Sequence, residues 1–287
     1  MKVYKNYNQQ QLDDQYNTRL HVPDYAMYFD RCEKLSRQTV EQHDILREIP
    51  FGDHPKERLD IFPSKIPHSK TLVFIHGGYW HLLDKDMFHF LADFFLKYDV
   101  TTVLINYPFA PLSPMSEIVH SCRKALRWIH ENIKRFNGDP AELYLMGHSA
   151  GGHLASMMLV EEEARFLRAV ISLSGLFRLE PVMLSYLNES IGLDRENAMK
   201  NSPVFLEPAN DCPLLLVTGS EETDEFQAQS EELYQCWKNK NSNTSLLMVP
   251  QKNHYSILEA VTEKDSTLRD EILSLMNIDP VSASHQG

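Results

Sequence analysis

The chain has 287 residues, 43% hydrophobic, 10% aromatic and 24% charged, near the globular average, which excludes collagen-like, coiled-coil and disordered readings. Forty acidic residues against 28 basic ones leave a net charge of −12, the wrong sign for neutralising phosphates, so nucleic acid and anionic membrane surfaces are not expected partners. The four cysteines, Cys32, Cys122, Cys212 and Cys236, are widely spaced without a C-x-x-C pair and read as free thiols in a reducing compartment. With no apolar leader and no aliphatic run near the ~20 residues of a membrane span, the expectation is a cytoplasmic protein acting on a small molecule, compatible with a homodimer.

The first 45 residues are polar and read as a helical segment, with Tyr16, Tyr25, Tyr28 and Phe29 as its apolar anchors. Residues 57–62 alternate polar and apolar, as in an antiparallel edge strand. From residue 70 onward, short apolar runs at 72–75, 102–105, 143–146, 169–173, 214–217 and 246–249 alternate with longer amphipathic stretches. That alternation is the sequence form of a mostly parallel sheet flanked by helices, its strands covered on both faces. Between the second and third runs, Ile118, Cys122, Ala125, Ile129, Ile133 and Phe136 recur at helical spacing, and the turn residues at 137–140 end that helix. Residues 176–208, carrying Pro181, Pro203 and Pro208, read as a small cap insertion. No repeat or linker is visible, so one α/β domain is expected over residues 1–287.

The chemistry centres on G-H-S-A-G, residues 147–151. It matches G-x-S-x-G, follows a strand and precedes a helical run, the context in which a strained turn exposes a serine at the sheet edge. Ser149 needs a base, because a serine hydroxyl is not a nucleophile at neutral pH without one. Of the 13 histidines, His153 lies in the helix right after the turn and His285 in a polar tail, whereas His254 follows the last strand run. In serine hydrolases of this strand order the acid lies between nucleophile and base, in the loop after the penultimate strand. Glu221, Glu222 and Asp224 compete there. Asp224 precedes Gln227 by three positions in an N-cap pattern, so Glu222, three residues after Gly219, is the first choice. The oxyanion donors are expected from the glycines after the 72–75 strand, through the amides of Gly77 and Gly78, together with that of Ala150.

Taken together, H-G-G-Y-W at 76–80, G-H-S-A-G, the G-x-x-acid-x-x-E-F run from Gly219 and the segment around Asn253 and His254 resemble kynurenine formamidase (arylformamidase), within the α/β-hydrolase esterases. The resemblance extends over most of the chain, and H-G-G-Y-W is its most particular element. It implies an α/β-hydrolase fold, Ser149 as nucleophile, His254 as base and Glu222 as acid, where the family usually has Asp; the longer side chain requires a backbone set further from His254. It also implies hydrolysis of N-formyl-L-kynurenine to kynurenine and formate in tryptophan breakdown, without metal or cofactor. Tyr79 and Trp80 are candidates to stack on the aryl ring, with packing into the core the alternative for either. The same residues would serve a broad short-acyl carboxylesterase, and a hydrolase fold kept as a non-catalytic binding module is the third reading.

Overall fold

Eight strands form one sheet in a computed structural model that describes residues 1–160, 165–241 and 243–281, so His285 lies outside the described residues. They are β1 (Leu46–Pro50), β2 (Arg58–Phe62), β3 (Ser69–Ile75), β4 (Thr101–Ile105), β5 (Gly138–His148), β6 (Leu167–Leu173), β7 (Leu214–Gly219) and β8 (Thr244–Val249). Their order is β1-β2-β4-β3-β5-β6-β7-β8; β2 is antiparallel to both its neighbours and the remaining pairs are parallel. All six apolar runs are strands of the parallel part. Residues 57–62 do not form the edge, because β1 pairs outside β2; β1 is short, largely exposed and irregular in register, so it carries little hydrophobic signal.

The continuous apolar runs follow from burial on both faces. In β3, Val73 and Ile75 enter one core while Leu72 and Phe74 enter the other; in β5, Leu143 and Leu145 enter the first and Tyr144 and Met146 the second. Successive side chains of a strand point to opposite faces, so a strand with two covers must be apolar throughout. β8 closes the sheet on the far side with its central residues half-exposed, as an outer strand does.

The helices are α1 (Gln9–Tyr16), α2 (Thr18–His21), α3 (Tyr25–Gln42), α4 (Phe90–Leu96), α5 (Met115–Asn132), α6 (Ala150–Met157), α7 (Glu180–Leu184), α8 (Asn188–Ile191), α9 (Arg195–Lys200), α10 (Asp224–Trp237), α11 (Ser256–Ala260) and α12 (Thr267–Leu275). α5 presents Ile118, Cys122, Ala125 and Ile129 to the core as its spacing requires. It ends at Asn132, a 3-10 turn carries the chain to Phe136, and Asn137 then takes a left-handed conformation. The next residues, expected as a turn, already belong to β5, which starts at Gly138.

Residues 176–208 fold as α7, α8 and α9, with Leu176, Phe177, Leu179 and Val182 in the core beneath. They join the N-terminal segment: the Gln9 side-chain amide donates to the Leu184 carbonyl at 2.9 Å, and the Tyr186 amide to Asp13 at 2.8 Å. Among the described residues no helix is long and apolar enough to cross a membrane.

The chain runs from β3 to β4 on one side of β3 and returns to β5 on the other. Loops leaving β3 and β5 therefore diverge, and a crevice opens between them at the carboxyl ends of the strands. H-G-G-Y-W and G-H-S-A-G are those two loops.

Candidate active site

Ser149 sits between the end of β5 and α6 with φ 58° and ψ −120°, outside the regions comfortable for a side-chain-bearing residue. Two glycines permit the turn. A Cβ on Gly147 would lie 2.0 Å from the Gly151 carbonyl oxygen, and one on Gly151 would lie 2.0 Å from that of Ile75. No side chain fits either gap, so the small residues of G-x-S-x-G are a packing requirement. The Ser149 amide donates to the Leu173 carbonyl at 2.8 Å, tying the turn to β6.

His254 Nε2 lies 3.0 Å from Ser149 Oγ, and His254 Nδ1 lies 2.8 Å from Glu222 Oε2. All three side chains are buried. A carboxylate only accepts, so the imidazole proton sits on Nδ1 and Nε2 is free to accept from the serine hydroxyl. The other Glu222 oxygen accepts from the Gly219 amide at 2.7 Å, Ser174 Oγ at 2.6 Å and Thr218 Oγ1 at 3.3 Å. These donors fix the carboxylate in orientation. Gly219 and Thr218 come from the end of β7 and Ser174 from the turn after β6.

Of the competing acids, Asp224 is the first residue of α10, with Thr223 at the cap position, so the expected capping role of Asp224 is not observed. Gln227 instead donates its amide to the Glu222 carbonyl at 2.7 Å, fixing the loop that carries the glutamate. Glu221 is exposed. The structure thus brings Ser149, His254 and Glu222 together and leaves the other two acids aside.

Facing Ser149, a Cβ on Gly77 would be 3.0 Å from Ser149 Cβ and 2.9 Å from the His148 carbonyl oxygen, so this loop and the serine turn are in contact. Gly78 has φ +106°, where a side chain would also strike the Leu82 carbonyl. The amides of Gly77, Gly78 and Ala150 donate to no acceptor among the described residues. The loop is held from behind by His76, whose Nδ1 lies 2.7 Å from the Gly77 carbonyl and whose ring stacks on Tyr107.

One expectation for substrate contact is corrected. Trp80 has no exposed surface; its indole N–H donates to His153 Nδ1 at 3.1 Å, and His153 Nε2 in turn donates to the Asn201 carbonyl at 2.7 Å. It is a core residue, because the left-handed backbone at Tyr79 and Trp80 turns the indole inward. Tyr79 does line the pocket and donates its hydroxyl to the Tyr16 carbonyl at 2.6 Å.

The pocket above Ser149 has a volume of about 80 Å³ and is walled by Thr18, Phe29, Tyr79, Leu82, Phe88, Tyr255 and Leu258, with the exposed Arg19 at its rim. The N-terminal segment therefore contributes walls, and residues 176–208 do not. Thr18 Oγ1 and the Tyr255 hydroxyl are 2.8 Å apart, which ties α2 to the loop carrying His254.

Two contributors carry no sequence signal of their own. His148, the variable position of G-x-S-x-G, donates Nε2–H to the His254 carbonyl at 2.9 Å; burial pushes its pKa well below the usual histidine value and keeps it neutral. Ser174 is a single serine after a strand until the fold sets it against Glu222. Among the described residues, one cluster has metal-ligand spacing, Asp60, Asp86 and His89. Lys85 Nζ already lies 3.2 Å from Asp60 and 2.9 Å from Asp86, so a cation of the protein's own occupies that position.

Comparisons with known proteins agree with the fold. The family model described as the prolyl oligopeptidase family matches residues 120–273, and one described as BD-FAE matches residues 59–175. Kynurenine formamidase of Danio rerio is 29% identical over 243 residues, covering 80% of this chain and 82% of that protein. Isoprenylcysteine alpha-carbonyl methylesterase of Arabidopsis thaliana is 32% identical over 126 residues, 43% of this chain and 30% of that protein. A crystal structure from a Silicibacter species, provisionally assigned as a thioesterase, superposes with a TM-score of 0.82 at 25% identity, covering 93% of this chain and 99% of that one.

Proposed function

Given that the chain belongs to the prolyl oligopeptidase family and is an arylformamidase-like α/β-hydrolase, we propose that it cleaves N-formyl-L-kynurenine to kynurenine and formate, using Ser149 as nucleophile, His254 as base and Glu222 as the orienting acid. The observation that supports this most is the unbroken line of contacts from Glu222 Oε2 through His254 to Ser149 Oγ, facing three unengaged amides.

In this reading His254 takes the Ser149 proton as Oγ adds to the formyl carbon, and the imidazolium that forms is stabilised by Glu222. The developing oxyanion is received by the amides of Gly77, Gly78 and Ala150, which carry no acceptor that would first have to be displaced. His254 then protonates the departing arylamine. That amine is less basic than an alkyl amine, so the formamide is easier to open than a peptide bond. Water, deprotonated by the same histidine, releases formate from the formyl-serine.

The test is turnover of N-formyl-L-kynurenine beside a panel of short-chain aryl esters, compared by kcat/KM. Preference for the formamide upholds the reading; ester cleavage without formate release overturns it. A broad short-acyl carboxylesterase is the second reading, favoured by the likeness to a methylesterase. Covalent labelling of Ser149 by a fluorophosphonate separates both from a non-catalytic module.

A further inference from the structure

The pocket wall is apolar except at two places: the Ser149 and His254 end, and the rim, where Arg19 stands on α2. Arg19 is the one permanently charged side chain of that lining. Its guanidinium lies 5.1 Å from the centre of the Tyr25 ring and close to the Tyr255 hydroxyl, with no carboxylate within ion-pair distance among the described residues. Asp13, on the neighbouring α1, directs its Oδ1 to the Tyr186 amide and the Gln9 side chain instead.

We propose that Arg19 selects substrates bearing a carboxylate on the leaving-group side of the scissile bond, so that the substrate class is carboxylate-bearing aryl formamides or aryl esters. This rests on the reading that the pocket above Ser149 receives the leaving group.

Three observations converge on it. In a chain of net charge −12 the surrounding field disfavours a carboxylate, so a substrate carboxylate needs a local cation at the entrance. A guanidinium presents paired N–H donors matched to a carboxylate, and here those donors are not committed to an internal acid. The position is also fixed relative to the reacting atoms: Thr18, next to Arg19, bonds the Tyr255 hydroxyl, and Tyr255 directly follows His254. The rings of Phe29, Tyr79 and Tyr255 line the same pocket as Arg19 and Ser149 and offer apolar faces to an aryl group. Because Arg19 is exposed, it binds a carboxylate without first being stripped of water.

The experiment uses two matched pairs, each differing in a carboxylate: 4-(2-formamidophenyl)-4-oxobutanoate with 1-(2-formamidophenyl)butan-1-one, and para-acetoxybenzoate with phenyl acetate. The quantity read is the ratio of kcat/KM for the anionic over the neutral member, in the wild type, Arg19→Ala, Arg19→Lys and Arg19→Glu. The expected result is a ratio about tenfold lower in Arg19→Ala, carried by KM, lower still in Arg19→Glu and partly retained in Arg19→Lys, in line with a charge-assisted contact. Added salt should compress the wild-type ratio toward that of Arg19→Ala. A merely structural role lowers both members in step and leaves the ratio unmoved, which overturns the proposal, as does a wild-type ratio insensitive to salt. If esters alone are cleaved, the formamidase reading fails while the ester pair still decides the role of Arg19.

Discussion

Glu222 reaches His254 with one carboxylate oxygen, Oε2 to Nδ1 at 2.8 Å, while its other oxygen receives three donors from two separate strand ends. The acid is thus held in place from behind and has a single outlet toward the imidazole. Glu222→Gln keeps the shape but offers an amide that can present N–H to Nδ1, favouring the wrong tautomer. Turnover should fall by about 10³ to 10⁴, the scale seen when a buried triad acid is made neutral. Asp224→Asn, at the first residue of α10, should change kcat by less than about threefold, since it touches neither His254 nor the carboxylate. Steady-state kinetics on both variants decide between the acids, and the reverse ranking would move the role to Asp224.

Gly77→Ala should separate activity from folding. Its Cβ would stand 2.9 Å from the His148 carbonyl oxygen and 3.0 Å from Ser149 Cβ, so a small shift of the loop away from the serine is forced. Displacing the two amides should lower kcat by about 10² to 10³. The chain should still fold, with a Tm within a few degrees of wild type by calorimetry. Gly151→Ala, by contrast, drives a methyl into the Ile75 carbonyl at 2.0 Å and should yield little folded protein.

Trp80→Phe tests the reassignment of Trp80 to the core. Losing the indole N–H leaves His153 Nδ1 without its donor in a site that water does not reach. Such an orphaned group costs about 1–3 kcal/mol, to be read from denaturant unfolding. KM should stay near the wild-type value. A KM raised tenfold with little loss of stability would return Trp80 to the substrate.

Acid stability follows from buried histidines. Burial lowers His76 and His153 to about 4 and pushes His148 well below its ordinary value, so all three are neutral in the folded protein. In the unfolded chain each titrates near its ordinary value of about 6.5. Below that pH the unfolded state binds more protons than the folded one, so the contribution is fully present above about pH 6.5 and is lost as pH falls toward 4. The slope is at most about 1.4 kcal/mol per pH unit for each histidine. Chemical denaturation from pH 7.5 to 4.5 should show stability declining over that window, and His153→Gln should make the decline shallower.

The six parallel strands and G-x-S-x-G were legible because their signals are local: a strand covered on both faces must be apolar throughout, and a serine held at φ 58° needs glycines beside it. Likewise, chain order alone separated His254 from the other histidines. β1 was not legible, since a short exposed strand buries too little to leave a pattern. Residues 176–208 looked like the cap, yet Thr18, Arg19 and Phe29 of the polar N-terminal stretch line the pocket.

By itself, then, the sequence determined the class of sheet, the serine turn and the glycine loop, because each depends on neighbours within a few residues. Only the tertiary structure decided that Glu222 rather than Asp224 meets His254, that Ser174 and His148 brace the two partners, that Trp80 faces inward and that Arg19 stands at the rim. Those outcomes depend on residues 32 to more than 200 positions apart meeting across the sheet edge, a separation at which spacing along the chain carries no information about distance in space.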